Sequence, residues 1–176
     1  MLSLHIEPEY LTQLRQALLL AGDREIGGVL VAEQVETGVF RLVDFSVQDT
    51  PGSVACFIRL PEEHAEFMAA FHERTGNDFS RFNYLGEWHS HPLFEAYPSG
   101  QDRRTMQAIV DDPDEVAQFA VLLVVRLVGR RLQIHGTLYR AHASEASITV
   151  LIRHVPWWRR GLANLSIRNS RNQPRD

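Results

Sequence analysis

The chain has 176 residues, 44% of them hydrophobic and 23% charged, which suits one soluble globular domain with a core of its own. Its net charge of −4 argues against nucleic-acid binding, which needs a basic surface. The single cysteine, Cys56, excludes an internal disulfide and a cysteine-rich metal site. The stretch from Met1 to Glu9 has no basic residue typical of a signal peptide, and the longest apolar run, Phe119 to Val125, is too short for a membrane span. We therefore expect a cytoplasmic protein with neither a nucleic-acid nor a membrane partner.

Helical spacing and turn residues predict helices and strands throughout the first half of the chain. Leucines recur at helical spacing after Glu7-Pro8, and Gly22 ends that helix. The next two strands form a hairpin across Thr37-Gly38. The predicted elements are a helix from Pro8 to Gly22, strands from Ile26 to Ala32 and from Val39 to Val47, a loop from Gln48 to Ser53, a short strand from Val54 to Arg59, and a helix from Pro61 to Gly76.

The sequence of the second half of the chain predicts one helix and four strands, and two of these strands form a hairpin around Gly129-Arg130. In order, these are a strand from Phe82 to His91, a helix from Ser99 to Val110, and strands from Phe119 to Val128, from Arg131 to Arg140 and from Ser147 to Arg153. The pattern predicts an α+β fold with a central mixed, largely antiparallel sheet flanked by helices. We expect one domain over residues 1–156 and a mobile C-terminal tail over residues 157–176. Within the tail, Trp157 and Trp158 are interpreted as packing residues, with a partner-binding patch as the alternative.

The most informative stretch runs from Gly86 to Asp102 and reads GEWHSHPLFEAYPSGQD. His89 and His91 are two residues apart in a predicted strand, so both rings can lie on one face. Asp102 follows in the first turn of the next predicted helix, where the helix dipole favours a carboxylate. Two imidazoles and one carboxylate form a three-ligand set that leaves one position of a catalytic Zn²⁺ open to water.

The same residues also fit other roles, and the sequence argues against several of them. Ser99 and Asp102 also fit a helix-capping arrangement, which can coexist with metal binding. The chain has no His-Glu-x-x-His motif, and one cysteine cannot supply a nucleobase-deaminase site. Ser90 lies between the histidines, so its hydroxyl is expected on the opposite face of the strand, which argues against a serine nucleophile.

A hydrolytic site also needs a general base, and two glutamates compete for that role. Glu87 shares the strand face of His89 and His91, so it can orient the ligands or act as a further one. Glu25 lies at a helix-to-strand junction before Gly27-Gly28, where glycines permit close backbone approach. Spacing alone does not choose between them.

The combination of an upstream Glu before a Gly-rich strand with His-x-His, seven residues and Ser-x-x-Asp resembles the JAMM family of zinc metalloproteases, also called MPN-plus or JAB. The resemblance covers the chain from about Glu25 to the last strand and implies a JAB/MPN-like, cytidine-deaminase-like architecture. It implies that Glu25 is the general base, that His89, His91 and Asp102 bind one Zn²⁺, and that Ser99 stabilises the oxyanion. Glu87-Trp88 departs from the aromatic pair of eukaryotic members and is closer to the compact prokaryotic branch.

The resemblance further implies an isopeptidase or peptidase that cleaves after the C-terminal glycine of a ubiquitin-like protein, by deconjugation or by precursor processing. The implied partners are that protein or its conjugate, together with activating and conjugating enzymes, in a bacterial anti-phage system. The alternatives are a peptidase that trims sulfur-carrier proteins in cofactor or cysteine metabolism, and a non-catalytic MPN scaffold. All 18 basic residues are arginine. The absence of lysine fits either a GC-rich genome or a protein that offers no amine for conjugation.

Overall fold

The fold is taken from a computed structural model that describes residues 1–48, 61–113 and 118–152, with the side chains of 61–63 left aside. Three helices and eight strands lie in these ranges. They are β1 Ser3–Ile6, α1 Pro8–Ala21, β2 Gly27–Glu36, β3 Val39–Phe45, α2 Pro61–Arg74, β4 Phe82–Ser90, α3 Gly100–Asp111, β5 Phe119–Val128, β6 Arg131–Arg140, β7 Ala146–Ser147 and β8 Thr149–Ile152.

The eight strands form one mixed sheet in the order β7-β6-β5-β4-β2-β3-β1-β8. The pairs β2–β3, β2–β4, β5–β6 and β6–β7 are antiparallel, whereas β1–β3, β1–β8 and β4–β5 are parallel. The predicted α+β fold with a mixed, largely antiparallel sheet is confirmed. Strand β4 is an inner strand with partners on both sides, so the residues at its C-terminal end are held from two directions.

Helices cover both faces of the sheet. Leu14 and Leu18 of α1 are buried in the larger core cluster together with Trp88, which is fully buried. On the other face, Met106 and Val110 of α3 are buried against β5 and β6 in a second cluster. Because side chains alternate along a strand, β4 sends Trp88 into one cluster while the residues on either side of it face the helix α3 side.

Close backbone approach requires glycine at one position in β4 and at one position in β2. A Cβ on Gly86 would lie 1.9 Å from the backbone oxygen of Val121, and Gly86 has a φ of 153° at an irregularity in the β2–β4 register. A Cβ on Gly28 would lie 2.2 Å from the backbone oxygen of Ser46. The Gly-rich start of β2 therefore packs directly against the chain beyond β3, as its composition predicts.

Most predicted elements match the observed ones to within a few residues, and the β5–β6 hairpin has the predicted bounds. Three differences stand out. Strand β1 was not predicted; its four residues alternate between half-buried and buried positions, too short a run to stand out from the sequence. Strand β2 continues past Ala32 to Glu36, and the single strand predicted from Ser147 is divided between β7 and β8. The predicted strand 54–59, Cys56 and the tail 157–176 lie outside the described residues.

Candidate metal centre

The end of β4 places two imidazoles on one face of the sheet. His89 and His91 are buried, with 5% and 6% of their surface exposed. Their Nε2 atoms lie 3.1 Å apart, and the ring planes are inclined by 38°. Both rings therefore present the same nitrogen to one point, as the two-residue spacing in a strand predicts.

Asp102 completes the group from a different element. Its Oδ2 atom lies 3.5 Å from Nε2 of His89 and 3.6 Å from Nε2 of His91. The loop 92–99 turns the chain back so that the first turn of α3 faces the end of β4. The three donor atoms thus form a nearly equilateral triangle built from one strand and one helix.

This triangle fits a zinc ion. Ligand bonds of about 2.0–2.2 Å in tetrahedral geometry separate neighbouring donor atoms by roughly 3.3–3.6 Å. The three observed separations lie within a few tenths of an ångström of that range. Two imidazole nitrogens and one carboxylate oxygen are also donors that Zn²⁺ accepts, and three of them leave a coordination position open. We conclude that His89, His91 and Asp102 can hold a metal ion.

The His91 ring is fixed in the orientation that a ligand needs. Its Nδ1 lies 3.0 Å from the backbone oxygen of Glu95, so Nδ1 donates there and the lone pair of Nε2 faces the other donors. Burial lowers the pKa of His91, but the Asp102 carboxylate and the Glu95 carbonyl outweigh it and raise the pKa above its usual value. The raised pKa reflects the negative charge of Asp102 beside the ring.

Asp102 has two structural roles at once. Its Oδ2 accepts a 2.6 Å hydrogen bond from the Ser99 backbone N–H, while its own N–H donates to Ser99 Oγ over 3.2 Å, which is a complete capping box. Burial raises the pKa of the Asp102 carboxyl, but hydrogen bonds from His89 and His91 outweigh it and hold the pKa well below the usual range. The carboxylate is therefore ionised at neutral pH. The same carboxylate therefore belongs to the helix cap and lies beside both histidines.

The structure brings Glu25 to the same place from 64 positions earlier in the sequence. Gly27 pairs with His89 across the antiparallel β2–β4 ladder. The residues just before Gly27 therefore lie beside the residues just after His89. Ser90 N–H donates to Ile26 O over 2.8 Å, and Ile26 N–H donates to Ser90 Oγ over 3.0 Å. Glu25, which precedes this double contact, is 6% exposed and lines one cavity with the three donor residues.

This cavity, called the central cavity below, has a volume of about 700 Å³. Besides the three donors, its lining includes Glu25, Glu87, Phe94, Tyr97, Ser99 and Arg104. Glu87 is buried beside the histidines on the face that its position in β4 predicts, and Ser99 is exposed at the start of α3. Every residue predicted for the site therefore lies at this cavity.

Three features of the site were not predicted from the sequence. Ser90 was correctly placed on the opposite face of β4 but was given no role, although its hydroxyl fixes the start of β2. Phe94 and Tyr97 are more than half exposed on the loop over the cavity. Arg104 lines the cavity from α3. The clustering of aromatic residues between His91 and Ser99 was the one signal that could have indicated the loop's position.

Comparisons with known proteins agree with this geometry. A family model described as prokaryotic homologs of the JAB domain matches residues 7–144. No curated protein matches the chain. Among solved structures, the solution structure of protein DSY2949 from Desulfitobacterium hafniense is similar, with a TM-score of 0.65 and 15% identity over 88% of this chain and 96% of that chain. At that identity the likeness shows the fold alone. In the described ranges, none of the helices combines the length and apolar character that a membrane span requires.

Proposed function

Because the chain belongs to the family of prokaryotic homologs of the JAB domain, we propose that it is a zinc-dependent peptidase or isopeptidase that cleaves after the C-terminal glycine of a ubiquitin-like protein. The observation that carries this proposal is the convergence of Nε2 of His89, Nε2 of His91 and Oδ2 of Asp102 at separations of 3.1–3.6 Å. A buried glutamate, Glu25, lies in the same cavity. This combination supports a hydrolytic centre over a metal-free scaffold.

The reaction adds water across an amide bond. Zn²⁺, when bound, supplies a Lewis acid that lowers the pKa of water and polarises the scissile carbonyl. Glu25 accepts a proton from the attacking water and returns it to the nitrogen as the C–N bond breaks. Glu25 is buried and lines the cavity, which suits a group that must reach the attacking water. Glu87, buried beside the histidines, orients them rather than moving the proton.

Ser99 donates a hydrogen bond to the oxyanion that forms on the carbonyl oxygen. Its Oγ accepts the Asp102 N–H through a lone pair, so the hydroxyl hydrogen stays available to donate. The capping bond also fixes the position of that hydroxyl at the start of α3. A single donor of this kind contributes about 3 kcal/mol to transition-state stabilisation in other enzymes.

The substrate tail reaches the cavity past the loop 92–98. Leu93, Phe94 and Tyr97 expose 50–57% of their surface on this loop, which suits contact with an apolar tail. The tail cannot pair with β4 as an additional strand, because both edges of β4 are already paired with other strands. The tail would lie across the end of the sheet instead.

We test the proposal with Glu25→Gln. The zinc-loaded variant should retain one equivalent of metal by elemental analysis, because Glu25 is not among the three donors, while turnover of a ubiquitin-like fusion should fall at least about 100-fold. His89→Ala should lose both metal and turnover. Normal turnover by Glu25→Gln would show that another group moves the proton, and a wild-type chain that binds no zinc would contradict the whole proposal.

The partners follow as part of the same proposal. They are a ubiquitin-like protein or its conjugate, with the activating and conjugating enzymes of a bacterial anti-phage system. None of the 176 residues is lysine. This supports a role beside a conjugating enzyme, because the chain offers that enzyme no side-chain amine to which a ubiquitin-like protein could be attached. Co-purification of the chain with such enzymes from its native cell tests this setting. The second candidate, a peptidase that trims sulfur-carrier proteins, uses the same chemistry on a different glycine-ended tail.

A further inference from the structure

Arg104 is the one arginine that lines the central cavity within the described part of the chain. The acidic side chains that line the cavity are those of Glu25, Glu87, Glu95 and Asp102. Its Nη1 atom would lie 3.5 Å from a Cβ on Gly100, so the guanidinium folds back over the start of α3 at the cavity rim. Arg104, which is exposed, therefore places a permanent positive charge at the rim of the cavity.

The neighbouring arginine behaves differently. Arg103 donates to the Glu145 carboxylate over 2.9 Å, and so has a partner within the chain. Arg104 makes no ion pair with a residue of the described ranges. A guanidinium left free beside a binding cavity matches a planar carboxylate through two parallel hydrogen bonds.

We propose that Arg104 determines specificity by binding the free C-terminal carboxylate of a short extension that follows the scissile bond. This inference rests on the proposed function. On the acyl side, the glycine carboxyl is part of the scissile amide bond, so a free α-carboxylate next to that bond belongs to the amine side. Arg104 and the donor residues line the same cavity of about 700 Å³, so the amine side is a short extension that fits within it.

The inference selects precursor processing over deconjugation. An isopeptide-linked lysine within a folded target has no free α-carboxylate next to the scissile bond, whereas a short C-terminal extension ends in one. In the reaction, water adds to the glycine carbonyl carbon, the C–N bond breaks, and the proton passes through Glu25 to the leaving amine. The released extension keeps its carboxylate against Arg104 until it leaves.

The test compares two synthetic peptides that end in Gly-Gly-Ala-Ala, one with a free C-terminal acid and one with a C-terminal amide. The zinc-loaded wild-type chain should cleave the acid with a kcat/KM on the order of 10- to 100-fold higher, the range that charge-assisted hydrogen bonds span. Arg104→Gln should abolish this preference by slowing only the acid. Arg103→Gln is the matched control and should keep the preference, since it loses only a surface ion pair.

Binding provides a readout independent of turnover. Zinc-loaded Glu25→Gln should bind the acid more tightly than the amide by calorimetry, and the double variant with Arg104→Gln should bind both equally. Equal binding or cleavage of the two peptides by chains with Arg104 intact would overturn the role of Arg104 while leaving the proposed function in place. Tighter binding of the acid without cleavage of any glycine-ended substrate would uphold the role of Arg104 and overturn the proposed function.

Discussion

At the scale of single residues, the site combines structural and chemical roles in the same atoms. Ser99 and Asp102 cap α3 through reciprocal hydrogen bonds, and the same Asp102 oxygen faces both histidines. A cap restrains the carboxylate in the absence of metal, so little conformational entropy is lost when an ion binds. The spacing Ser-x-x-Asp was sufficient to predict the cap, because a capping box depends on neighbours in sequence alone.

Two substitutions of Ser99 separate capping from catalysis. Ser99→Ala should lower the free energy of unfolding of the metal-free chain by about 1 kcal/mol, whereas Ser99→Gly should cost only a few tenths, because glycine is tolerated at an N-cap. Both remove the hydroxyl donor, so both should lower kcat by roughly 100- to 1000-fold. Urea unfolding and kcat on a ubiquitin-like fusion measure the two effects. Near-normal kcat in Ser99→Gly would leave Ser99 with the capping role only.

At the scale of elements, the register of β2 against β4 brings Glu25 to the cavity, although Glu25 lies far from the His-x-His motif in the sequence. Gly27 pairs with His89, and Ser90 holds Ile26 by its backbone and its side chain. The sequence indicated that Ser90 lies behind the histidines, but the contact with Ile26 depends on pairing between residues 64 positions apart. Alternation along one strand is a local property, whereas the register between two strands is set by the whole sheet.

Ser90→Ala tests whether this contact positions Glu25. The change leaves the buried Ile26 N–H without its side-chain acceptor and should cost about 1–3 kcal/mol of unfolding free energy. Ser46→Ala is the matched control, since Ser46 Oγ accepts the Val29 N–H over 3.0 Å farther along β2. At equal zinc content, Ser90→Ala should lower kcat roughly 10- to 100-fold more than Ser46→Ala, because small displacements of a catalytic group are costly. Equal kcat losses in the two variants would rule out a positioning role.

At the scale of the whole molecule, the metal centre ties separate parts of the chain together. The inner strand β4 and the residue that follows it supply two donors, α3 supplies the third, and the chain before β2 supplies the glutamate. An ion that binds only when these parts are assembled stabilises the folded state by mass action. Metal binding at the site should therefore raise the stability of the whole fold as well as support activity.

Zinc removal tests this coupling. With free zinc at about 100 times its dissociation constant, the ion should add about 2.7 kcal/mol, which raises the Tm by about 5–10 °C for a chain of this size. A chelator should reverse the shift, and His89→Ala should abolish it. His142→Asn is the control, because His142 is exposed and its φ of 54° suits asparagine. A zinc-dependent shift that persists in His89→Ala would place the ion elsewhere.

The sequence by itself determined the donor types, their common face and the cap, because each depends on the two-residue period of a strand or on the first turn of a helix. It also carried the likeness to a family, through His89, His91, Ser99 and Asp102. Only the tertiary structure decided that Asp102 Oδ2 comes within 3.6 Å of both histidines, that Glu25 shares their cavity, and that Arg104 faces it without a partner in the described ranges while Arg103 has one. Those distances arise from strand pairing and helix packing between distant segments, which local periodicity does not encode.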